Sequence, residues 1–225
     1  MGAVALFSGG KDSTRAVQLA LEAGIDVDCL LTARSARHDS YMFHSRALEL
    51  VDLQAEAMGI PVKFFETSGV KEEELGPLRE VMVELKEVKG IRTIVAGALR
   101  SNYQLSRVES LAKDLDMDIY TPLWNLKAEE HLRTLLANGY DILMVAVAAE
   151  GLDATWLGRR VDEKTVAELV RLSERYGLNV DGEGGEYETT VLNAPFFKKR
   201  VRIDKITSHW DGSAGHIEIE KAGLI

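Results

Sequence analysis

The segment with the clearest chemistry is residues 8–13, which follow a short apolar run at residues 3–7 and precede a stretch with helical periodicity. Its sequence is Ser8-Gly9-Gly10-Lys11-Asp12-Ser13. Adjacent glycines let backbone N–H groups approach an anion, and the positive end of a following helix attracts the same charge. Lys11 adds a full positive charge, and the hydroxyls of Ser8 and Ser13 add donors. The segment, here named the phosphate loop, predicts phosphate binding; the alternative is an ordinary strand-to-helix turn with a helix cap.

The phosphate loop differs from two common phosphate-binding motifs. A Walker A loop needs four residues between its first glycine and its Gly-Lys pair, and the Gly-x-Gly-x-x-Gly pattern also separates its glycines. Gly9 and Gly10 are adjacent, and the segment resembles instead the PP-loop of the ATP pyrophosphatase superfamily. The resemblance implies that a substrate oxygen attacks the α phosphorus of ATP and that pyrophosphate leaves. Lys11 and the loop amides would then stabilise the charge on the leaving group.

The same resemblance implies where the rest of ATP binds. The adenine is expected near the end of the second strand, at Ser35, and near the turn after the fourth strand, at Gly97. Asp12 is expected to orient the loop or to contact Mg²⁺ through water. ATP and Mg²⁺ are therefore the expected cofactors. The implied ATP-binding residues are Ser8, Gly9, Gly10, Lys11, Asp12, Ser13, Ser35 and Gly97.

A second unusual segment lies at residues 183–190, here named the glutamate segment. Its sequence is Glu183-Gly184-Gly185-Glu186-Tyr187-Glu188-Thr189-Thr190. Taken by composition alone, it is best interpreted as a glycine turn that enters an edge strand and carries solvated acids. Its occurrence together with the phosphate loop changes that interpretation.

Five segments together resemble the diphthine–ammonia ligase family, and the similarity covers essentially the whole chain. They are residues 8–13, residues 97–124 with their Gly-Ala-Leu-Arg-Ser-Asn-Tyr-Gln-Leu-Ser-Arg-Val-Glu and Pro-Leu-Trp runs, residues 183–190, residues 40–44 (Ser-Tyr-Met-Phe-His) and residues 150–152 (Glu-Gly-Leu). The resemblance implies the last step of diphthamide synthesis. In that step ATP, ammonium and diphthine on translation elongation factor 2 give diphthamide, AMP and pyrophosphate.

The family resemblance also implies roles for individual residues. Diphthine carries a trimethylammonium group, and carboxylates and aromatic faces attract a fixed cation. Glu183, Glu186 and Glu188 are expected to be catalytic with Lys11, either by holding this cation or by taking a proton from ammonium, since only neutral ammonia attacks an acyl-adenylate. The expected substrate-binding residues are Tyr103, Arg107, Gly184, Gly185, Tyr187 and Thr189. For Arg107 an ion pair on a helix surface is an equally good interpretation.

The elements that must position these residues alternate in the first half of the chain. Apolar runs predict strands, and segments with helical periodicity lie between them. This order is typical of a Rossmann-like, doubly wound parallel α/β sheet, similar to that of adenine nucleotide alpha hydrolases. The predicted strands are residues 3–7, 27–32, 62–66, 93–99 and 119–123, and the predicted helices are residues 14–23, 48–58, 77–89 and 104–115.

The second half predicts a smaller α+β unit. Asp162 is a good N-cap for a helix that runs to residue 176, and the remaining strands are short and alternating. We therefore expect a PP-loop ATP-binding domain at residues 1–125 and a substrate-recognition domain at residues 126–225. The other predicted elements are a helix at 128–137 and strands at 142–149, 190–192, 200–207 and 216–220.

Composition excludes several classes of protein. Lys and Arg total 27 and Asp and Glu total 36, so the net charge is −9, which disfavours non-specific binding to nucleic acid. No apolar run reaches the ~18 residues of a membrane-spanning helix. The start of the chain lacks the basic region of a signal peptide, so a cytoplasmic protein is expected. The single cysteine, Cys29, excludes an intramolecular disulfide and is predicted to be a core residue.

Cys29 also bears on the nitrogen source. Enzymes that take nitrogen from glutamine often use a catalytic cysteine, whereas Cys29 lies in a predicted buried strand and 225 residues leave no room for a further catalytic domain. Free ammonium is therefore expected. Two rivals remain: a tRNA-modifying adenylating enzyme of the same superfamily, and a non-catalytic ATP-binding regulator. The oligomeric state stays open, with a homodimer as one alternative.

Overall fold

The computed structural model describes residues 2–35, 47–68, 75–98 and 102–225, and the side chains of residues 35 and 102–104 lie outside that description. The strands and helices alternate through the first part of the chain, and strands dominate its end. The strands are β1 (Gly2–Leu6), β2 (Asp26–Ser35), β3 (Val62–Thr67), β4 (Thr93–Val95), β5 (Asp118–Tyr120), β6 (Asp141–Val147), β7 (Tyr187–Asn193), β8 (Val201–Trp210) and β9 (Gly215–Leu224). The helices are α1 (Lys11–Glu22), α2 (Val51–Met58), α3 (Leu75–Lys89), α4 (Asn102–Asp114), α5 (Ala128–Ala137) and α6 (Glu163–Tyr176).

The chain divides into two compact units, each made from several segments. The first contains the described residues of Met1–Ser8, Asp12–Leu48 and Ile60–Trp124. The second contains Gly9–Lys11, Glu49–Gly59 and Asn125–Ile225. Two short segments from the first half of the sequence, including the centre of the phosphate loop, thus belong to the second unit. The assignment of separate roles to residues 1–125 and 126–225 stays a prediction.

The first unit is built on a parallel sheet with the strand order β3-β2-β1-β4-β5. On one face Val4 of β1 packs in a core with Leu78 and Met82 of α3 and Leu111 of α4. Ala3 and Ala5 point to the other face and are also buried, so β1 is covered on both sides. The predicted Rossmann-like α/β fold is confirmed. The strand order reverses beside β1, and open α/β sheets bind ligands at the carboxyl ends of the strands at such a point.

Several element boundaries differ from the prediction, and two of these differences affect the candidate site. Helix α1 begins at Lys11, three residues before its predicted start, so Lys11, Asp12 and Ser13 form its first turn. The apolar periodicity begins only after these polar residues, which is why the sequence pattern placed the start too late. Strand β4 ends at Val95, well before residue 99, because the chain leaves the sheet there.

Cys29 of β2 is 1% exposed and lies in the core of the first unit, as predicted. Burial raises the pKa of its thiol above the usual range, because water no longer stabilises the thiolate. The group therefore stays neutral near pH 7 and lacks the thiolate that a nucleophilic cysteine needs.

The second unit is built on an antiparallel sheet with the order β7-β6-β9-β8, with α5 and α6 packed on it through an apolar core. Strand β7, which follows the glycine turn, lies at one edge of this sheet. The side chain of Asp162 accepts a hydrogen bond from the Thr165 amide at 2.7 Å, which confirms the predicted cap of α6. Among the described residues, no helix combines the length and the apolar character needed to cross a membrane.

Candidate active site

Within the first unit, the phosphate loop is held by its own serines. The Ser8 amide donates a hydrogen bond to the Ser13 hydroxyl oxygen at 3.3 Å, and the two hydroxyls lie 3.2 Å apart. Just before the loop, the Phe7 carbonyl accepts a hydrogen bond from the Thr32 hydroxyl of β2 at 2.7 Å. These contacts close the turn between β1 and α1 and fix where the loop leaves the sheet.

Gly97 lies close to the start of α1. A Cβ atom at this position would stand 2.8 Å from the carbonyl of Asp12 and 2.9 Å from the Ser13 amide nitrogen. Only glycine permits this approach, because the neighbouring atoms are backbone and cannot turn away. The predicted ATP-binding residues Gly97, Asp12 and Ser13 are therefore close together in the first unit.

In the second unit, residues Gly9–Lys11 are hydrogen-bonded to β7. The Gly9 carbonyl accepts a hydrogen bond from the Val191 amide at 3.0 Å, and the Lys11 amide donates to the Thr189 hydroxyl at 3.3 Å. Gly9 has a φ of +78°, which glycine adopts without steric cost. The phosphate loop and the end of the glutamate segment are thus joined although they lie far apart in sequence.

The side chain of Lys11 extends towards Tyr187 of the glutamate segment. It is 5% exposed, and its Nζ donates a hydrogen bond to the Asp181 carbonyl at 2.5 Å. The same Nζ lies 5.5 Å from the centroid of the Tyr187 ring. The Tyr187 hydroxyl donates in turn to the Val180 carbonyl at 2.7 Å, which fixes the ring. The charge of Lys11 is therefore positioned by backbone and aromatic groups at the entry to β7.

The glutamate segment turns tightly before β7 begins. The Gly185 amide donates a hydrogen bond to the Gly182 carbonyl at 3.1 Å, and both glycines have positive φ. A Cβ atom on Gly182 would lie 2.9 Å from the Tyr187 ring, and one on Gly184 would lie 2.6 Å from a Glu186 carboxylate oxygen. The glycines therefore let the chain pass closely over the side chains that follow.

Glu186 is the carboxylate of the glutamate segment whose two oxygens lie in different surroundings. Its Oε1 accepts hydrogen bonds from the Asn179 amide at 2.8 Å and from the Asn179 side chain at 2.6 Å. Its Oε2 is buried and has no hydrogen-bond partner among the described residues. The Glu183 amide donates to the Asp181 carboxylate at 3.3 Å, and Glu188 lies half-buried on β7 opposite Ala146.

The remaining predicted site residues lie in the first unit or outside the description. Arg107 lies half-buried in α4. Ser35 ends β2 and Tyr103 lies in the first turn of α4, but their side chains are outside the described part, as are residues 40–44 and 99–101. The structure thus joins Lys11 with Tyr187 and Thr189 and leaves Ser35 and Tyr103 without a described role.

Sequence reasoning missed three buried polar residues of this region: Gln54, Thr190 and Asp181. Gln54 and Asp181 are 0% exposed, and Thr190 is 2% exposed. A signal for Gln54 was present, because it occupies the i+3 position of a helical stripe that is otherwise apolar. Asp181 had no such signal, since it precedes a glycine turn in which an acid is expected to be exposed.

Together, the strand order and the phosphate loop at the carboxyl end of β1 define a Rossmann-like α/β protein of the ATP-binding kind. Two family models match the chain, the diphthamide synthase N-terminal domain over residues 1–119 and the diphthamide synthase C-terminal domain over residues 127–225. The chain therefore belongs to the diphthine–ammonia ligase family.

Curated relatives agree with this membership. The human diphthine–ammonia ligase is 34% identical over 226 residues, covering 91% of this chain and 83% of the human protein. The zebrafish (Danio rerio) diphthine–ammonia ligase is 35% identical over 222 residues, covering 91% of this chain and 87% of the fish protein. The predicted family is confirmed, and with it the expectation of a ligase enzyme.

The chain is also similar to a solved structure described as a predicted subunit of tRNA methyltransferase from Methanocaldococcus jannaschii. It is 19% identical, covers 86% of this chain and 97% of that chain, and has a TM-score of 0.43. At that score the likeness supports no conclusion about function.

Proposed function

We propose that this protein is an ATP-dependent ligase that converts diphthine on translation elongation factor 2 to diphthamide with free ammonium. The observation on which the proposal rests is the position of the Lys11 ammonium, which lies 5.5 Å from the Tyr187 ring of the glutamate segment and donates to the Asp181 carbonyl, two residues before that segment. This contact joins Lys11, which is expected to bind the phosphates of ATP, with the segment that is expected to bind the cationic side chain of the substrate. A protein that only bound ATP would not need this link.

The proposed reaction has two steps. A carboxylate oxygen of diphthine attacks the α phosphorus of ATP, the bond between the α phosphorus and the bridging oxygen breaks, and pyrophosphate leaves with the electron pair. Ammonia then attacks the acyl carbon of the adenylate, the bond from that carbon to the phosphate oxygen breaks, and AMP leaves. The nitrogen loses a proton to give the amide.

Lys11 carries the charge that would stabilise the leaving pyrophosphate, and the loop amides are expected to add hydrogen bonds to it. A charge-assisted hydrogen bond from Lys11 to a phosphate oxygen is stronger than its bond to the neutral Asp181 carbonyl, so phosphate can displace that partner. Serine hydroxyls at Ser8 and Ser13, which already contact each other, line the same turn. These features support binding of the triphosphate at the phosphate loop.

Mg²⁺ is the cation expected with ATP, and it prefers oxygen ligands and keeps several waters. Asp12, in the first turn of α1, is the carboxylate of the loop and would hold the ion. When bound, the ion neutralises phosphate charge. Within residues 2–35, 47–68, 75–98 and 102–225, no group of three or more His, Cys, Asp or Glu side chains is arranged to hold a metal ion.

The glutamate segment suits the trimethylammonium group of diphthine. Glu186 supplies a carboxylate that would attract this cation, and its Oε2 has no hydrogen-bond partner among the described residues. The Tyr187 ring, which already lies 5.5 Å from the Lys11 ammonium, would add an aromatic face once Lys11 turns to phosphate. Glu183 and Glu188 are the other two carboxylates of the segment, and one of them would take the proton of ammonium. The buried, neutral thiol of Cys29 supports free ammonium as the nitrogen donor, in the cytoplasm where the elongation factor acts.

The proposal is tested by incubating the protein with ATP and ammonium in three arms: elongation factor bearing diphthine, tRNA, and no acceptor. We expect AMP and an amidated elongation factor in the first arm alone, and no activity when glutamine replaces ammonium. Modification of tRNA would favour the tRNA-modifying alternative. Tight ATP binding without AMP in every arm would favour the regulator.

A further inference from the structure

Gln54 is a buried polar residue that the proposed reaction does not use. It lies on α2 between Val51 and Ala55, all three are buried, and it is 0% exposed. Its Nε2 lies 2.9 Å from the Gly9 carbonyl, 2.8 Å from the Val191 carbonyl and 3.1 Å from the Thr190 hydroxyl. The two N–H bonds of the amide are therefore shared among three oxygens that come from the phosphate loop and from β7.

The contact also explains the glycine at position 9. A Cβ atom there would stand 2.4 Å from the Oε1 of Gln54, closer than any side chain permits. Because Gly9 has no side chain, Gln54 lies directly on the loop backbone. The Gly9 carbonyl receives both the Gln54 amide and the Val191 backbone N–H, so one oxygen joins α2, β7 and the phosphate loop.

The orientation of the Gln54 amide is fixed by these oxygens. Turning it over would place Oε1 against two carbonyls, which repel it. Oε1 is buried and has no hydrogen-bond partner among the described residues, which carries a desolvation cost. An apolar side chain of similar size would fill the space without that cost. The amide is therefore best explained by what its nitrogen holds.

We propose that Gln54 is a positioning residue for the reaction, one that sets the register of the phosphate loop against β7. The inference rests on the proposed function, because it assigns ATP to the loop and the protein substrate to the glutamate segment. Gln54 is 0% exposed, so we assign it a role through the loop backbone rather than by contact with a substrate. Its loss therefore changes the alignment of Lys11 with Tyr187 and Thr189, and a small misalignment lowers kcat more than substrate binding.

The test compares Gln54→Met with Gln18→Met. Gln18 is also buried, at 6% exposure, but its side chain contacts Arg15 and Glu22 of α1. At a temperature where both variants are folded, we expect Gln54→Met to lose kcat by about tenfold or more with each KM within roughly threefold, and Gln18→Met to match the wild type. A wild-type kcat in Gln54→Met would overturn the inference.

Amide hydrogen exchange gives a readout that does not depend on activity. Without ligand, the Val191 amide should exchange about tenfold faster in Gln54→Met than in Gln18→Met, because its acceptor on Gly9 loses its second partner. Equal exchange rates in the two variants would overturn the proposal that Gln54 holds the Gly9 carbonyl against β7. A wild-type protein that fails to amidate diphthine contradicts the proposed function, and the exchange comparison still decides whether Gln54 holds the loop.

Gln54→Glu serves as a second variant should Gln54→Met not fold. A protonated glutamic acid donates one hydrogen bond to these oxygens, whereas the carboxylate is repelled by them. The ratio of its kcat to the wild-type kcat should therefore fall as the pH rises. A ratio that stays constant with pH would contradict the positioning role.

Discussion

Lys11 unites the two segments that the sequence singled out. The loop pattern predicts that the cation at this position binds phosphate. In the structure the same ammonium group donates a hydrogen bond to the Asp181 carbonyl and lies beside the Tyr187 ring. The carbonyl could not be predicted, because any residue type supplies one. At this scale the proposed chemistry depends on a few atoms around one buried ammonium group.

Replacement of Lys11 tests its role directly. Lys11→Met keeps the length of the side chain and removes the charge, so we expect the rate of AMP formation to fall by at least about 100-fold. Lys127→Met is the control, since the Lys127 side chain is 78% exposed and forms a surface ion pair with Glu130. Steady-state AMP release measures both variants. A loss in Lys11→Met no larger than in the control would exclude a catalytic Lys11.

Glu186 separates protein-substrate binding from ATP binding. Glu186→Gln keeps an oxygen for the hydrogen bonds from Asn179 and removes the negative charge. We expect the KM for the diphthine substrate to rise by roughly tenfold, because a cation near a carboxylate loses its Coulomb attraction, while the Kd of ATP stays unchanged. The exposed Glu174 supplies the control variant, Glu174→Gln. An equal loss of ATP affinity would contradict this division of roles.

At the scale of elements, the turn between β1 and α1 carries the candidate site. Its existence was predictable, since an apolar run, two glycines and a helical pattern follow one another in sequence. The sequence placed Gly97 near the expected adenine but did not predict its close approach to the first turn of α1. The structure explains that approach by backbone packing. The packing gives a prediction for stability as well as binding.

Gly97→Ala should destabilise the protein. The added Cβ would meet the Asp12 backbone at 2.8 Å, so the chain must shift, and we expect the free energy of unfolding to fall by about 1–3 kcal/mol. Gly76→Ala in α3 is the matched control, because its Cβ meets no described atom within 4 Å and alanine favours a helix by up to about 1 kcal/mol. Denaturant unfolding measures both. Equal stability of the two variants would show that the contact at Gly97 relaxes freely.

The cap of α6 predicts a pH dependence. Hydrogen bonds from the Thr165 hydroxyl and amide lower the pKa of Asp162, so its contribution is present at neutral pH and is lost as the pH falls through the lowered pKa. Asp162→Ala should therefore reduce the free energy of unfolding by about 1 kcal/mol at pH 7, and the difference should shrink below about pH 4. Asp162→Asn, which can still accept the amide hydrogen bond, should retain most of the stability. If the stability difference between Asp162→Ala and the wild type were the same at pH 7 and below about pH 4, the ionised Asp162 would not be the stabilising group.

At the scale of the whole molecule, the sequence predicted the parallel sheet and the α+β second half, because apolar periodicity records local structure. It did not predict that Gly9–Lys11 and Glu49–Gly59 belong to the second unit. Contacts such as that of Gln54 with Thr190 join residues 136 positions apart and leave no periodic signal. The net charge of −9 bears on the substrate rather than on the fold, since it favours a protein substrate over nucleic acid.

In the proposed reaction, transfer of AMP from ATP activates the carboxylate of diphthine before ammonia attacks. This activation is tested most directly by labelling both carboxylate oxygens of diphthine with the heavy isotope of oxygen and running the reaction with ATP and ammonium. We expect one labelled oxygen in the phosphate of AMP and one in the amide, with AMP and diphthamide formed in equal amounts. Amide formed with no label in AMP would contradict the activation step.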